Sequence, residues 1–268
     1  NSFCTLLAKP NPNLAMLRGV SSYGPCLKAA ICSAARHCST TAGSGGPSGG
    51  DGGDEAADVV TPWEVKARGP KGVDYTRVTQ TFQAQTVDEG TIAAFRKAYE
   101  ARAADGEKAP KVHHLIRRGC VFAHRDAASF LEDITSGGRG YLYTGRGPSA
   151  SAMHIGHVVP FLLTRHLQAA LRLPLVVQIT DDEKFLFRGI EAKAMDKMTR
   201  ENIKDIIAFG FDRDRTFIFR NTQYMGDLYP TALEVQRLLT ANAVKNTFGF
   251  TDNDNVGKFA FAATQAAP

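Results

Sequence analysis

Apolar residues along this chain change their spacing several times, and each change marks an element. In Thr91–Arg102, the residues Ile92, Phe95, Ala98 and Tyr99 fall on one side of a 3.6-residue turn, which predicts a helix. Gly140-Tyr141-Leu142-Tyr143-Thr144 reads as a short strand. In His157–Leu171, Val159, Leu163, Leu167 and Leu171 recur every four positions, predicting a helix with Pro160 in its first turn, where proline is tolerated. Pro174-Leu175-Val176-Val177-Gln178-Ile179-Thr180 is almost continuously apolar and β-branched, the mark of a strand covered on both faces. Met195–Phe209 reads as a helix closed by Gly210, Thr216–Phe219 as a third strand and Tyr229–Leu239 as a further helix. Strands alternating with helices predict an α/β fold with a doubly wound parallel sheet over residues 136–268. Ahead of it, Val59–Val65 and Val73-Asp74-Tyr75 read as two extended pieces around a turn at Gly69–Gly72, and Lys111–Arg118 is basic. Residues 59–135 are thus expected to form an N-terminal extension with a hairpin and a helix.

Residues 1–50 carry no such pattern. They are rich in Ser, Ala and Gly, contain no Asp or Glu, and hold Lys9, Arg18, Lys28 and Arg36. That is the composition of a transit peptide for a mitochondrion or plastid, the plain alternative being a low-complexity tail. Residues 43–53 form a Gly/Ser linker that cannot pack, so residues 1–58 are expected to be a disordered leader. The four basic residues supply four of the five net positive charges, leaving 28 basic against 27 acidic residues elsewhere. Bulk charge therefore argues only weakly for a nucleic-acid partner. With 268 residues, 43% hydrophobic and 22% charged, the chain can bury one large core or two small ones, which excludes collagen, coiled coil and full-length disorder. No apolar run approaches the ~18–20 residues that cross a bilayer, so no membrane partner is expected. Cys4, Cys26, Cys32 and Cys38 lie in the leader at spacings that match no zinc pattern. Cys120 alone cannot build a disulfide framework and is expected to be a small buried residue.

The chemistry concentrates in Tyr141–His157, which leaves the first strand and enters the long helix. Ligands of such sheets sit beyond the carboxyl ends of the strands. Gly145 and Gly147 would let backbone approach a phosphate, Arg146 would supply charge, and Ser149 lies in the same loop. His154 and His157 are three apart, so both can face one ligand at the helix start, and Gly156 between them leaves room for a flat adenine or ribose. Helix amino ends add N–H donors for anions. Gly145-x-Gly147-x-x-Ala150 also fits a dinucleotide fingerprint, but that pattern wants an acid ~20 residues on. Here the next acids are Asp181 and Asp182. A glycine turn with two surface histidines is the bland alternative. Gln178 and Thr180 are two apart on one strand and so share a face at its carboxyl end, with Glu183 within reach. A carboxylate and an amide there can hold an ammonium, and a Gln carbonyl can accept an N–H from a small ligand. The bland reading of Asp181-Asp182-Glu183 is a solvated acidic helix start.

These residues resemble a known family. His154-Ile155-Gly156-His157 is the His-Ile-Gly-His signature of class I aminoacyl-tRNA synthetases, and the wider text is similar to the eukaryotic cytosolic tryptophanyl type. The matching pieces include Pro62-Trp63-Glu64-Val65, Arg117-Arg118-Gly119, His124-Arg125-Asp126, Tyr143–Ser149, Gln178–Lys184, Gly249-Phe250-Thr251-Asp252 and Gln265–Pro268. The resemblance implies a Rossmann-like catalytic domain, incomplete at its carboxyl end. It implies that Gly145, Arg146, Gly147, Ser149, His154, Gly156 and His157 hold ATP with Mg2+, with Arg146, His154 and His157 stabilising charge in catalysis. It implies that Tyr143, Gln178, Thr180, Glu183 and Gln265 line a tryptophan pocket with Lys184 at its edge, and that Trp63–Tyr75 corresponds to a hairpin over the site. It further implies tRNA(Trp) as acceptor, a homodimer, and action in the cytoplasm, where the leader points to an organelle. A tyrosine-type synthetase or related nucleotidyltransferase, and an inactive truncated binding or regulatory paralogue, are the alternatives. Lys197-Met198-Thr199 superficially resembles the family's second signature, Lys-Met-Ser-x-Ser. It follows His157 too soon and sits in a helical pattern, where Met195 and Met198 are expected to pack. In the family the second signature and the anticodon-reading domain lie farther along the chain than these residues reach, so residues 1–268 alone are expected to have little or no ligase activity.

Overall fold

The structure, a computed structural model, describes residues 84–268 and, ahead of them, the backbone of three short strands at 6–8, 59–60 and 65–66. In chain order these strands are β1 (Leu6–Ala8), β2 (Val59–Val60) and β3 (Val65–Lys66). Then follow β4 (Gln85–Thr86), α1 (Glu89–Arg102), α2 (His114–Arg117), β5 (Ala123–His124) and α3 (Ala127–Thr135). The second half holds β6 (Tyr141–Arg146), α4 (Ile155–Leu171), β7 (Leu175–Ile179), α5 (Asp181–Arg188), α6 (Ala192–Ala208), β8 (Thr216–Arg220), α7 (Asn221–Leu238), α8 (Ala241–Phe248) and α9 (Val256–Ala266).

The main sheet has the order β1-β6-β7-β8. β6, β7 and β8 are parallel, with Leu142 opposite Leu175 and Leu175 opposite Thr216, and helices make both crossovers. Alternation along the strands sorts side chains to two faces. On one face Leu142, Leu175, Val177 and Ile179 form a single core with Phe95 and Tyr99 of α1, Leu131 and Ile134 of α3, Leu171 of α4 and Ile206 of α6. Each such side chain contributes roughly 1.5–3 kcal/mol by leaving water. The other face carries Tyr141, Tyr143 and Val176, and beyond them α9, which packs on α7 and α5. The apolar face is thus sealed, and the face with tyrosines is left for polar work. No helix among the described residues is long and apolar enough to cross a membrane.

Several expectations shift. Within the leader, Leu6–Ala8 forms β1, whose backbone pairs antiparallel with β6 and meets the N–H and C=O groups of that edge; the rest of residues 1–58 lies outside the described residues. β2 pairs with β3, so the antiparallel partners both fall at the ends of Val59–Lys66. The turn at Gly69–Gly72, Val73–Tyr75, Trp63 and the linker 43–53 lie outside the described residues. The long central helix begins at Ile155, two residues before His157, because His154 caps it. Pro160 therefore sits in the second turn, where its missing N–H leaves the Gly156 carbonyl without its helical donor. The last predicted helix starts at Asn221 and not Tyr229, running through Gly226 and Pro230. Cys120 is exposed: it follows Gly119, which has φ +71° in the turn after α2, and that turn carries it to the surface. Met195 is buried in α6 as expected.

Candidate functional site

The parallel register brings three strand ends side by side. Arg146 lies opposite Ile179, and Ile179 opposite Arg220. The chain leaves the sheet at Gly147, Thr180 and Asn221, and the Thr180 N–H donates to the Arg146 carbonyl at 3.0 Å. Residues 141–148 are all buried, so the glycine loop is built into the molecule and is not a surface turn. Gly145 is still within β6, opposite Gln178, and only Gly147 lies in the loop proper. α4 starts eight residues after Gly147, which separates this loop from a dinucleotide fingerprint, where the helix starts in the glycine turn.

One side of this edge is cationic. Arg146 is 6% exposed, and its Nε donates to Asn202 Oδ1 at 2.9 Å, while its Nη2 is buried without a partner. Asn202 returns the constraint by donating Nδ2 to the Ala150 carbonyl at 2.7 Å, tying α6 to the loop. His154 and His157 lie together, with ring centroids 3.7 Å apart and planes at 34°. His154 Nδ1 accepts from the Gly156 N–H at 3.2 Å, and the imidazole fills the room beside Gly156 that the sequence reserved for a flat ligand group. His157 Nδ1 is buried without a partner. Burial, then the nearby Arg146 guanidinium and His154, pull His157 down to about 4, so it is a neutral imidazole that can donate without carrying charge of its own. Ser149 is half-buried in the same loop.

The other side is a buried polar cluster. The Tyr143 hydroxyl donates to Gln178 Oε1 and lies 3.1 Å from the Gln265 carbonyl, so Gln265 reaches this point through its main chain. Gln178, 0% exposed, donates Nε2 to Asn221 Oδ1 at 2.9 Å and to the Thr264 carbonyl at 3.2 Å. Asn221 donates Nδ2 to Asp182 Oδ1 at 2.8 Å. Thr180 donates Oγ1 to Glu183 Oε2 at 3.1 Å, and Lys184 Nζ donates to Glu183 Oε1 at 2.6 Å. Gly147 joins the two sides: a Cβ there would stand 2.4 Å from Glu183 Oε2, 2.7 Å from Lys184 Cε and 3.1 Å from Thr180 Oγ1.

The acidic segment is not a solvated helix start. Asp181 and Glu183 are buried, and Asp181 accepts from Arg220 Nε at 3.0 Å and from the Thr222 hydroxyl and N–H at 2.6 and 3.1 Å. Arg220 also donates Nη1 to Asp196 Oδ1 at 2.6 Å, so α5, α6, β8 and α7 are pinned at one point. Burial pushes Asp182 up to about 6 against the pull of the Asn221 N–H, with Asp181 adding to the rise. Burial also raises Tyr143, whose hydroxyl keeps its proton. Asn202, Asn221 and the Asp181–Arg220 pair were not among the sequence-predicted residues. The available signals were a polar residue in the buried stripe Met195, Thr199, Asn202, Ile206 of α6, and the first residue past the third strand.

Chemically, a guanidinium, two imidazoles and a tight glycine loop suit an anion such as a triphosphate. The buried amide, phenol and carboxylate a few ångströms away suit a small molecule with an ammonium and a ring donor. Among the described residues no group of three or more His, Cys, Asp or Glu side chains is placed to hold a metal ion.

A family model described as class I tRNA synthetases (W and Y) matches residues 135–267. The cytoplasmic tryptophan–tRNA ligase of Dictyostelium discoideum is 45% identical over 210 residues, which cover 78% of this chain and 50% of that protein. Among solved structures, the tryptophanyl-tRNA synthetase of Trypanosoma brucei is similar with a TM-score of 0.66 at 45% identity, covering 73% of this chain and 57% of that one. That of Encephalitozoon cuniculi, bound to tryptophan, is similar with a TM-score of 0.67 at 37% identity, covering 73% and 55%. The chain spans about half the length of the curated relatives it matches.

Proposed function

We propose, because this chain belongs to the class I tRNA synthetases for tryptophan and tyrosine, that its strand-tip site activates tryptophan with ATP for transfer to tRNA(Trp). The observation that carries this reading is the juxtaposition across Gly147 of a donor-rich loop (the Arg146 guanidinium with the His154 and His157 imidazoles) and a buried Tyr143–Gln178 pair with Glu183 beside it. A tryptophan carboxylate oxygen attacks the α-phosphorus of ATP, the bond to pyrophosphate breaks, and tryptophanyl-adenylate forms. A ribose hydroxyl at the tRNA terminus then attacks the carbonyl and AMP leaves.

In this scheme the protein positions reactants and stabilises charge, and it forms no bond to them. The Arg146 Nη2 and His157 Nδ1, buried without partners, are the donors aimed at the phosphates, and His154 stands beside them. Gly145, Gly147, Ser149 and Gly156 shape the nucleotide side. Tyr143 and Gln178 take the indole N–H with the Gln265 carbonyl adjacent, and Thr180 and Glu183 hold the ammonium, with Lys184 turned toward the loop. Magnesium enters with ATP as part of the substrate, and no step is routed through a resident metal. A homodimer belongs to the same proposal: Phe185, next after Lys184, is 54% exposed, an apolar ring that a second copy would cover. The relatives' names support action in the cytoplasm, while the acid-free leader supports an organelle. A fusion of residues 1–58 to a fluorescent protein separates the two.

The test is amino-acid-dependent exchange of pyrophosphate into ATP by the intact protein. Tryptophan is expected to drive exchange at least 100-fold above tyrosine or phenylalanine, because analogues that leave a buried polar site unpaired lose about 10⁴-fold where a site is built to bond that group. Equal exchange with tyrosine would refute the assignment of the pocket.

A further inference from the structure

The polar cluster behind Tyr143 has a direction. Its two ends are groups that can only accept: the Asp182 carboxylate and the Thr264 and Gln265 carbonyls. Facing Asp182 Oδ1 at 2.8 Å, the Asn221 amide must present its NH2 there, which turns its own oxygen to Gln178. Both N–H groups of Gln178 are then used, one on Asn221 Oδ1 and one on the Thr264 carbonyl. Gln178 Oε1 is left to face Tyr143, whose single proton it receives. At that point the Tyr143 oxygen, Gln178 Oε1 and the Gln265 carbonyl meet with one hydrogen among them. The Tyr143, Gln178 and Asn221 side chains are nearly or wholly buried, so these bonds, and not solvent, fix the orientation of the two amides.

We propose that Asn221 and Asp182 are positioning residues that set the hydrogen-bond polarity of the amino-acid pocket, making its inner end an acceptor-rich wall that takes a ligand with a ring N–H donor. The proposal rests on the tryptophan reading above and deepens it. Neither residue touches the ligand; they act by denying Gln178 the freedom to turn its NH2 toward Tyr143, which would replace the acceptors with donors. Without that arm only the 3.2 Å bond to Thr264 orients the amide.

The experiment compares, in the intact protein at pH 8, the binding of tryptophan and of 3-benzothienylalanine, in which sulfur replaces the indole N–H in the same shape. Wild type is expected to prefer tryptophan. Asn221→Leu and Asp182→Ala are expected to lower the ratio of the two affinities about tenfold, with the sulfur analogue's own affinity changing less than threefold. The exchanged pair Asp182→Asn with Asn221→Asp keeps an acceptor-only group facing Gln178 and is expected to restore the ratio to within threefold of wild type. If one single variant fails to fold, by its melting profile, the other and the exchanged pair decide. Equal weakening of both ligands, or a ratio unchanged in the single variants, overturns the proposal and leaves the tryptophan reading intact. Wild type binding neither ligand overturns that reading and the proposal with it.

Discussion

Arg146→Ala is expected to lower kcat/KM for ATP in tryptophan activation by about 100- to 1,000-fold, the loss seen when one preorganised donor to a transition-state oxyanion is removed. The guanidinium leaves the end of β6 into a site where it is 6% exposed, with Nε fixed by Asn202 and Nη2 unspent. Burial lowers its proton affinity while Glu183 and Asp205 raise it. An arginine so placed stays charged, and its orientation is set before any ligand arrives. Arg146→Lys is expected to recover less than a tenth of the loss, since one ammonium cannot both bond Asn202 and face a phosphate. Steady-state kinetics with ATP varied check this, and the KM for tryptophan is expected to move less than threefold. A loss of less than tenfold would remove Arg146 from charge stabilisation.

Gly147→Ala is expected to weaken tryptophan and ATP together, each by at least about tenfold, which corresponds to ~1.4 kcal/mol. The added methyl meets the end of Glu183, and that carboxylate is held by Thr180 Oγ1 and Lys184 Nζ in a pocket where all three are buried. Moving Glu183 breaks a paired buried charge, which is costly, and moving the loop shifts Arg146 from Asn202. Either response damages both halves of the site, and that joint loss is the signature. Separate titrations of the two ligands measure it. Loss of one affinity with the other unchanged would mean that the two sides are not mechanically joined at Gly147.

Where local pattern decides structure, the sequence was readable. β7 is apolar apart from Gln178 because both its faces are covered, and the regular leucines of α4 (Leu163, Leu167 and Leu171) follow from the side it turns, with Phe161, to the core. The strand–loop–helix order around Gly147 and the histidine pair is likewise local, so Gly145, Arg146, Gly147, His154, Gly156 and His157 could be named from their spacing, whereas Tyr143 came only from the family resemblance. Features that depend on distant partners were not readable. The burial of Asp181 rests on Arg220 and Thr222, 39 and 41 residues away. The use of the Gln265 main chain in place of its side chain depends on how α9 docks on the tyrosine face. Asn202 and Asn221 are single polar residues with no motif around them, and only their burial marks them. α7 begins eight residues earlier than the apolar pattern because helical packing overrides Gly226 and Pro230. β4 and β5 are two residues long, too short for any period to appear.

The central claim is that one continuous pocket grips a nucleotide and an aromatic amino acid at once, across the ends of β6 and β7. A tryptophanyl-adenylate analogue with a sulfamoyl link, titrated calorimetrically into the intact protein, tests this directly. One analogue per site is expected, bound at least 1,000-fold more tightly than tryptophan and displaced by tryptophan and by ATP in separate competitions. Binding no tighter than tryptophan, or displacement by only one of the two, would mean that the halves described here do not form a single site.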